Sequence, residues 1–249
     1  MEKKRLSKWA LFSLVLAVTG ACLLLVSGYG YQWNWWGLGT AFTWVIPASA
    51  IIALIALSLA LVYSFARSAE PNETGSTVAI LGLVLSMGVL GTVGYWFYQA
   101  QQYPPIHDIT TDIADPPRFQ AVVPLRADAP NDTTYGDEDK AEIQRDAYPD
   151  IQTLYLDIPY EEAFERAERA LEEMPWEEVV TADKKTGIIE AYDQLPWFGF
   201  VDDVVIRVDT SESNRGSKID VRSVSRIGKG DIGVNAHRIR NYLRAVKKQ

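Results

Sequence analysis

The sequence predicts a membrane protein with two parts, a three-helix transmembrane bundle followed by a soluble α+β domain. Three observations predict this class: long apolar runs without a charged residue, a charged and proline-punctuated remainder, and alternating apolar patterns towards the C-terminus. A helix of roughly 20 residues crosses a hydrocarbon core of about 30 Å. The bundle is predicted to occupy residues 1–98, with helices at about residues 9–27, 44–66 and 77–98.

The first apolar run follows a basic head formed by Lys3, Lys4, Arg5 and Lys8. A positive head before an apolar run is also typical of a secretory signal peptide, with TGAC at Thr19–Cys22 as a lipoprotein cleavage box. A retained transmembrane helix is favoured for two reasons. The run continues beyond Cys22 to Val26, and Thr19 stands where such a box has leucine.

The positive charges also predict sidedness, because Lys and Arg are enriched on cytoplasmic flanks. The connection between the second and third runs contains only Arg67 beside Glu70 and Glu73. The basic N-terminus is therefore predicted to be cytoplasmic, and three crossings place the C-terminal domain on the opposite face. In a bacterium this predicts a multi-pass inner-membrane protein with a periplasmic domain, in contact with membrane lipids.

Aromatic residues cluster where the predicted helices would meet one membrane face. Such rings usually anchor helices at the head-group level, although a site for a quinone, a pigment or a lipid head group is the alternative. No Asp, Glu, Lys, Arg or His lies within a span, which disfavours transport or pumping. The aromatic residues are Tyr29, Tyr31, Trp33, Trp35, Trp36, Phe42, Trp44 and Tyr95–Tyr98.

Small residues recur at helical spacing along all three runs. Such ridges let helix backbones approach closely in lipid, either within this bundle or against a partner's helices. The ridges are Ser13, Ala17 and Ala21; Ser49, Ala53, Ala56 and Ala60; Gly82 and Ser86; and Gly88, Gly91 and Gly94.

Residues 99–149 are predicted to form an extended, Pro-rich acidic arm, because repeated X-Pro pairs favour extended backbone. Residues 150–249 are predicted to form the α+β domain. Its patterns give the order β-α-β-β-β-β-α, a mostly antiparallel sheet with two helices on one face. The apolar positions expected to face inward on the last two strands are Val204, Ile206, Val208, Ile219 and Val221.

Charge is distributed unevenly over the soluble part. Residues 99–193 contain 8 Lys and Arg against 23 Asp and Glu, a net charge of −15, whereas residues 194–249 contain 11 against 6, a net charge of +5. Opposite net charges suggest that these two parts of the chain attract each other. They also argue against nucleic acid as the main partner. The single cysteine, Cys22, excludes a disulfide framework.

A short acidic segment allows a metal hypothesis. In HDITTDIAD, one histidine and three aspartates lie close together: His107, Asp108, Asp112 and Asp115. Solvation or capping is the favoured role for these side chains, since adjacent threonines and flanking prolines oppose the helix that would align them. The sequence therefore predicts no metal and no cofactor.

Charged residues on the last two strands form the first candidate site. Alternation places Arg207, Asp209, Asp220, Arg222 and Arg226 on the face away from the helices. Opposite charges on facing strands make a cross-strand network, which is the favoured interpretation. Gathered guanidinium groups could instead bind a phosphate or carboxylate ligand.

The run SRIGKGDIGVN, Ser225–Asn235, forms the second candidate site. Glycines before a helix can present backbone N–H groups to an anion. The alternative is a tight connection, with Gly228 and Gly230 at positive φ and Asp231 either capping the helix or pairing with Arg226 or Arg238. The candidate ligand-binding residues of both sites are Arg207, Arg222, Arg226, Gly230, Asp231, Asn235 and Arg238.

Four segments resemble the bacterial domain-of-unknown-function 1499 family: DPPRF (Asp115–Phe119), YPDI (Tyr148–Ile151), FGFVDDVVIRV (Phe198–Val208) and IDVRSVSRIGKGDIGVNAHRIRNYL (Ile219–Leu243). The resemblance covers roughly His107 to the C-terminus. It implies a membrane-associated or envelope protein and supplies no catalytic residues. The positions that match the family's signature are Asp203, Arg207, Arg222, Ser225, Arg226, Gly230, Asp231, Gly233, Asn235 and Arg238.

Three functions are compatible with these observations. The first is a non-enzymatic inner-membrane accessory or assembly factor whose periplasmic domain binds a partner protein or a small anionic or lipidic ligand. The second is a periplasmic hydrolase or lipid-modifying enzyme that uses Arg226, Asp231, Asn235 and Arg238. The third is a purely structural envelope protein. We favour the first, because no set of residues has the spacing of a catalytic site.

Overall fold

The computed structural model describes residues 5–66, 73–136, 138–211 and 216–249. The chain divides into two compact units. The first contains Met1–Ala100 together with Trp197–Gly199, and the second contains Gln101–Pro196 and Phe200–Gln249. Lys3, Lys4, Arg67 and Glu70, on which the predicted sidedness depends, lie outside the described residues.

The first unit contains three helical segments that are long and apolar enough to cross a membrane, as predicted. The first is α1 (Lys8–Gln32). The second comprises α2 (Leu38–Thr40), a π-helical stretch (Ala41–Val45) and α3 (Ile46–Ala66). The third is α4 (Ser76–Gln102). Each segment is longer than the predicted span, and the second extends it only at its beginning.

Small residues let the helices of this unit pack closely. Ala17 of α1 and Ala53 of α3 are fully buried, and a β-carbon on Gly20 would lie 3.0 Å from the backbone oxygen of Ser49. Gly82 of α4 lies similarly close to Ser13. These ridges therefore serve the bundle itself, whereas Gly88, Gly91 and Gly94 have no described atom within 4 Å of a β-carbon position.

A minimal parallel pairing connects the beginnings of two helices. Strand β1 (Arg5–Leu6) pairs with β2 (Glu73–Thr74), and the Ser7 N–H donates to the Thr74 carbonyl at 2.8 Å. Because β1 precedes α1 and β2 precedes α4, the first and third helical segments begin at the same end of the bundle.

The second unit is built on a six-stranded sheet in the order β3-β8-β7-β6-β5, with β4 also paired to β8. All of these pairings are antiparallel. The strands are β3 (Asp108–Thr110), β4 (Leu154–Leu156), β5 (Glu178–Asp183), β6 (Ile188–Gln194), β7 (Val201–Thr210) and β8 (Ser217–Ser225), and the helices are α5 (Glu138–Ala147), α6 (Tyr160–Leu171) and α7 (Val234–Lys248). From β4 onward the predicted order is confirmed.

The main core lies between this sheet and helices α6 and α7, which pack on one face as predicted. Strand residues Val204, Ile206 and Val221 meet Phe164 of α6 and Ile239 of α7 in one buried cluster. Period-2 alternation on the strands and period-3.6 spacing on the helices explain how the sequence predicted these partners. The apolar positions predicted to face inward are therefore confirmed.

The predicted extended arm differs from the structure. Residues 108–110 form β3 inside the sheet and residues 138–147 form helix α5. Phe119 and Val122 cover the second face of the sheet, against Val205 and Val224. Sequence reasoning missed these elements because β3 has three residues and α5 carries almost no apolar stripe, so both depend on tertiary contacts.

Candidate functional site

Strands β7 and β8 bring the candidate residues together. Their register places Arg207 opposite Asp220 and Val205 opposite Arg222. Since side chains alternate between the faces of a strand, Asp203, Arg207, Asp220 and Arg222 share the face away from α6 and α7. Residues 112–135 cover much of this face, so the charged side chains are enclosed instead of lining an open surface.

Arg222 is buried, with 2% of its surface exposed. Its Nε and Nη2 donate to the two carboxylate oxygens of Asp108 at 2.9 and 2.7 Å, and further donors reach the carbonyls of Pro117 and Thr133. The guanidinium carbon lies 5.2 Å from the ring centroid of Phe119 and stacks similarly on Tyr135. The guanidinium of Arg222 is therefore held by a forked ion pair and lies between two aromatic rings.

Arg207 is surrounded by three carboxylates. Its terminal nitrogens lie 3.0 Å from Asp220, 3.1 Å from Asp112 and 2.9 Å from Asp115. Burial opposes the charge, but the hydrogen bond that Arg207 donates to Asp220 and the neighbouring carboxylates raise the pKa of Arg207 above its ordinary value. Asp220 also accepts hydrogen bonds from the hydroxyl groups of Thr111 and Thr153.

Arg226 forms a third ion pair, with the fully buried Asp203. Its Nη2 donates to one Asp203 oxygen at 2.7 Å, and its Nη1 donates to the Leu125 carbonyl at 2.8 Å. Arg126 contributes a second guanidinium 3.4 Å from Asp203. Burial lowers the pKa of Arg126, and the nearby positive charge of Arg226 acts in the same direction.

Sequence reasoning missed Arg126, since a lone arginine in a Pro-rich stretch carries no local signal. Its partner Asp203 lies 77 residues further along the chain. Only the fold brings the two side chains together.

Arg238 belongs to α7, and its side chain is buried between this helix and the opposite face of the sheet. Its Nη2 donates to Asp193 and Asp202, both at 2.8 Å, and its Nη1 donates to Asn235 and Ser223. Burial opposes the charge, whereas Asp202 and Asp193 raise the pKa of Arg238 above its ordinary value. The seven predicted site residues are therefore divided between the two faces of the sheet and the loop before α7.

Backbone N–H groups at the end of the glycine-rich loop are hydrogen-bonded by a side chain of the loop itself. Asp231 accepts the backbone N–H of Gly233 at 2.9 Å and that of Asn235 at 2.7 Å, so its carboxylate occupies the position that an external anion would take. Burial raises the pKa of Asp231, although these two hydrogen bonds oppose the shift. Gly228 has the predicted positive φ of 102°. The same prediction was wrong for Gly230, which does not have a positive φ. Gly233 has one instead, with φ 76°.

The acidic segment considered for a metal supplies the network's carboxylates. Asp108 pairs with Arg222, while Asp112 and Asp115 pair with Arg207. His107 Nδ1 lies 3.3 Å from the Lys229 carbonyl. Within the ranges that the structure describes, no three His, Cys, Asp or Glu side chains are arranged to hold a metal ion.

Two open clefts border this network. One, of about 330 Å³, is lined by Tyr160, Lys185, Thr186, Arg207, Val208, Asp209 and Thr210. The other, of about 410 Å³, is lined by Ile113, Ala114, Tyr135, Gly136, Glu138, Ala141 and Arg145. Arg207 borders the first cleft, but its terminal nitrogens are already engaged by carboxylates of the chain itself.

Comparison with known protein families decides the family of the second unit. Residues 108–246 match the family described as "Protein of unknown function (DUF1499)". The chain belongs to the DUF1499 family. Comparisons with curated proteins and with solved structures found no match.

The DUF1499 match confirms the resemblance drawn from the sequence, which was also placed from roughly His107 onward. The matched range begins at Asp108, within the segment predicted to be an arm, and ends inside α7. It therefore contains both sides of the network: the arginines of β7 and β8 and the aspartates of residues 108–115. The network is thus built entirely within the DUF1499 domain.

Proposed function

We propose that this chain is a non-enzymatic accessory protein of the bacterial inner membrane, whose DUF1499 domain lies in the periplasm and binds a partner protein. The observation that carries the proposal is the closed ion-pair network. Its guanidinium groups are engaged by the chain's own carboxylates, which favours a rigid scaffold over a site that turns over a substrate.

The same observation separates the two ligand classes that the sequence left open. A small anion at Arg207, Arg222 or Arg226 would have to displace a carboxylate and leave it buried without a partner, which costs several kcal/mol. A partner protein needs no such displacement, because it binds at the surface. Protein binding is therefore the better-supported function.

The membrane assignment rests on the three apolar helical segments, whose sequences contain no charged residue within the predicted spans. Helices of this composition serve as anchors, since ion pathways usually carry ionisable residues. The periplasmic side follows from the basic head and the odd number of crossings.

Affinity purification of the full-length chain tests the proposal. The chain, tagged after Gln249, is extracted in mild detergent, and its co-purifying proteins are quantified against a tagged membrane protein unrelated to it. We expect a partner at constant stoichiometry, which reciprocal tagging of the partner recovers. Repeated isolation of the chain alone, also after cross-linking in intact membranes, would overturn the accessory function.

Reporter fusion after Gln249 tests the compartment separately. A reporter that is active only in the periplasm should give signal, and a reporter that is active only in the cytoplasm should not. The reverse pattern would contradict the predicted number of crossings while leaving the partner-binding proposal to be judged by the purification.

A further inference from the structure

The connection between β6 and β7 is a short loop with an aromatic tip. Residues 195–201, with the sequence LPWFGFV, contain no charged side chain. The Leu195 N–H donates to the Phe200 carbonyl at 2.8 Å, which closes the neck of the loop. Gly199 has a φ of 65°, a conformation that residues with a β-carbon rarely adopt. The tip, Trp197–Gly199, is therefore a compact and uncharged turn.

This tip is part of the first compact unit. Within that unit, the Trp197 indole N–H donates to the Leu25 carbonyl of α1 at 3.0 Å, and the Gln32 amide donates to the Trp197 carbonyl at 2.9 Å. The Phe198 ring stacks on Phe42, with 5.2 Å between the ring centroids. Trp197 and Phe198 therefore join the aromatic residues at this end of the bundle.

Glycines of α1 make room for indole rings at this end. A β-carbon on Gly28 would lie 2.5 Å from atoms of Trp197, so any larger side chain would push the indole away. A second indole, that of Trp36, packs in the same way against Gly30 and donates to the Ser27 carbonyl at 3.0 Å. The indole of Trp197 thus has a defined place on α1.

The contact with Leu25 gives the depth at which Trp197 would lie in a bilayer. Leu25 lies seven residues before Gln32, the last residue of α1, which corresponds to about 10 Å along the helix axis. It belongs to the apolar run that ends at Val26, and 60% of its surface is exposed. The indole therefore meets α1 where the apolar run gives way to aromatic and polar residues, which is the level that tryptophan rings prefer in membranes.

We propose that residues 197–199 lie in the head-group layer of the membrane and that the exposed part of the Trp197 indole contacts phospholipid. Trp197 is half-buried, so part of its surface remains open. The exposed residues beside it, such as Leu25, belong to an apolar helix long enough to cross a membrane, and the indole shares their surroundings. An indole suits this layer, because its ring is apolar while its N–H has a polar partner. The inference goes beyond the proposed partner binding and requires only that the helices cross a membrane.

Fluorescence quenching by lipid tests this inference in the full-length chain. The chain is reconstituted into nanodiscs with and without brominated phospholipid, which quenches only those tryptophans that it reaches. Trp197→Phe removes a quenchable emitter, so the quenched share of the emission should fall below that of the wild type. The matched control, Trp176→Phe, removes an indole packed against the core of the sheet, so the quenched share should rise. An unchanged or higher share in Trp197→Phe would overturn the proposal.

Photo-crosslinking identifies what covers the indole. The photoreactive residue p-benzoylphenylalanine replaces either Trp197 or Tyr155, an aromatic residue of β4 with 68% of its surface exposed. After irradiation in nanodiscs, mass spectrometry should find phospholipid attached at position 197 and not at position 155. Adducts at position 197 that join only other residues of the protein would overturn lipid contact, because protein would then seal the indole. Equal lipid adducts at both positions would also overturn it.

Discussion

At the scale of single residues, each arginine of the network protects a carboxylate that the fold has removed from water. The side chains of Asp203 and Asp220 have no exposed surface. A buried carboxylate is tolerated only when it is paired and hydrogen-bonded. The arginines therefore fix the position of the segment before α5 on the sheet, and their removal should lower the stability of the domain.

Replacing Arg222 should be severely destabilising. Arg222→Ala leaves Asp108 without its forked partner and opens space between Phe119 and Tyr135, so we expect a loss of about 3–5 kcal/mol in the free energy of unfolding. Arg222→Lys keeps the charge but not the fork and should lose less. Denaturant unfolding of the purified chain measures both. Arg244→Ala, at an exposed position, is the control. Equal losses of unfolding free energy at the two positions would contradict a stabilising role for the pair of Arg222 and Asp108.

Gly233 should not tolerate a side chain. Its φ of 76° is strained for any L-residue, and a β-carbon would collide with the ring of Tyr103. We expect Gly233→Ala to cost about 1–3 kcal/mol of stability. Gly91→Ala, at a position with open space, should be neutral or slightly stabilising by the same unfolding measurement. A neutral Gly233→Ala would show that the loop adopts another conformation.

The raised pKa of Asp231 predicts a pH dependence of stability. The folded chain holds this proton more tightly than the unfolded chain, whose aspartate pKa is about 3.9. The contribution of Asp231 to stability therefore falls as pH rises from about 4 through the folded pKa, and then stays constant. Asp231→Asn removes this titration. The stability of the wild type relative to the variant should thus fall with pH, and a difference that does not change with pH would contradict the assignment.

At the scale of elements, the strands with an alternating pattern were predictable, whereas β3 and α5 were not. Strands β7 and β8 alternate over nine or ten residues, which predicted both their inward apolar positions and their charged face. Asp220, which lies opposite Arg207, shares its face by the same alternation, but the partners of Arg207 and Arg222 within residues 108–115 could not be found in this way. They lie 92 to 114 residues away in sequence, and no local pattern encodes such a distance.

Gln144 connects two of the missed elements. From α5, its side chain accepts the Thr110 N–H at 3.0 Å and donates to the Thr110 carbonyl at 2.7 Å, and it is almost fully buried. Gln144→Leu leaves both backbone groups of β3 without partners, so we expect a loss of about 1–3 kcal/mol in unfolding free energy. Gln152→Leu, at an exposed position, is the control. Equal stability of the two variants would show that α5 does not secure β3.

At the scale of the whole molecule, the two compact units are stabilised by different interactions. The first is held together by small residues that let apolar helices approach, whereas the second has a water-excluding core between a sheet and two helices. Composition alone separated these parts in the sequence. The side of the membrane on which the second unit lies depends on charged residues outside the described ranges, so it stays a prediction.

The burial of the ion pairs has a practical consequence for biochemists who handle this protein. Concentrated salt screens charges that face solvent far more than those sealed inside, and the screening length falls from about 10 Å at 0.1 M to about 3 Å at 1 M. The melting temperature of the domain should therefore hardly change in molar sodium chloride. A melting temperature that drops steeply with added salt would mean that water reaches the arginines.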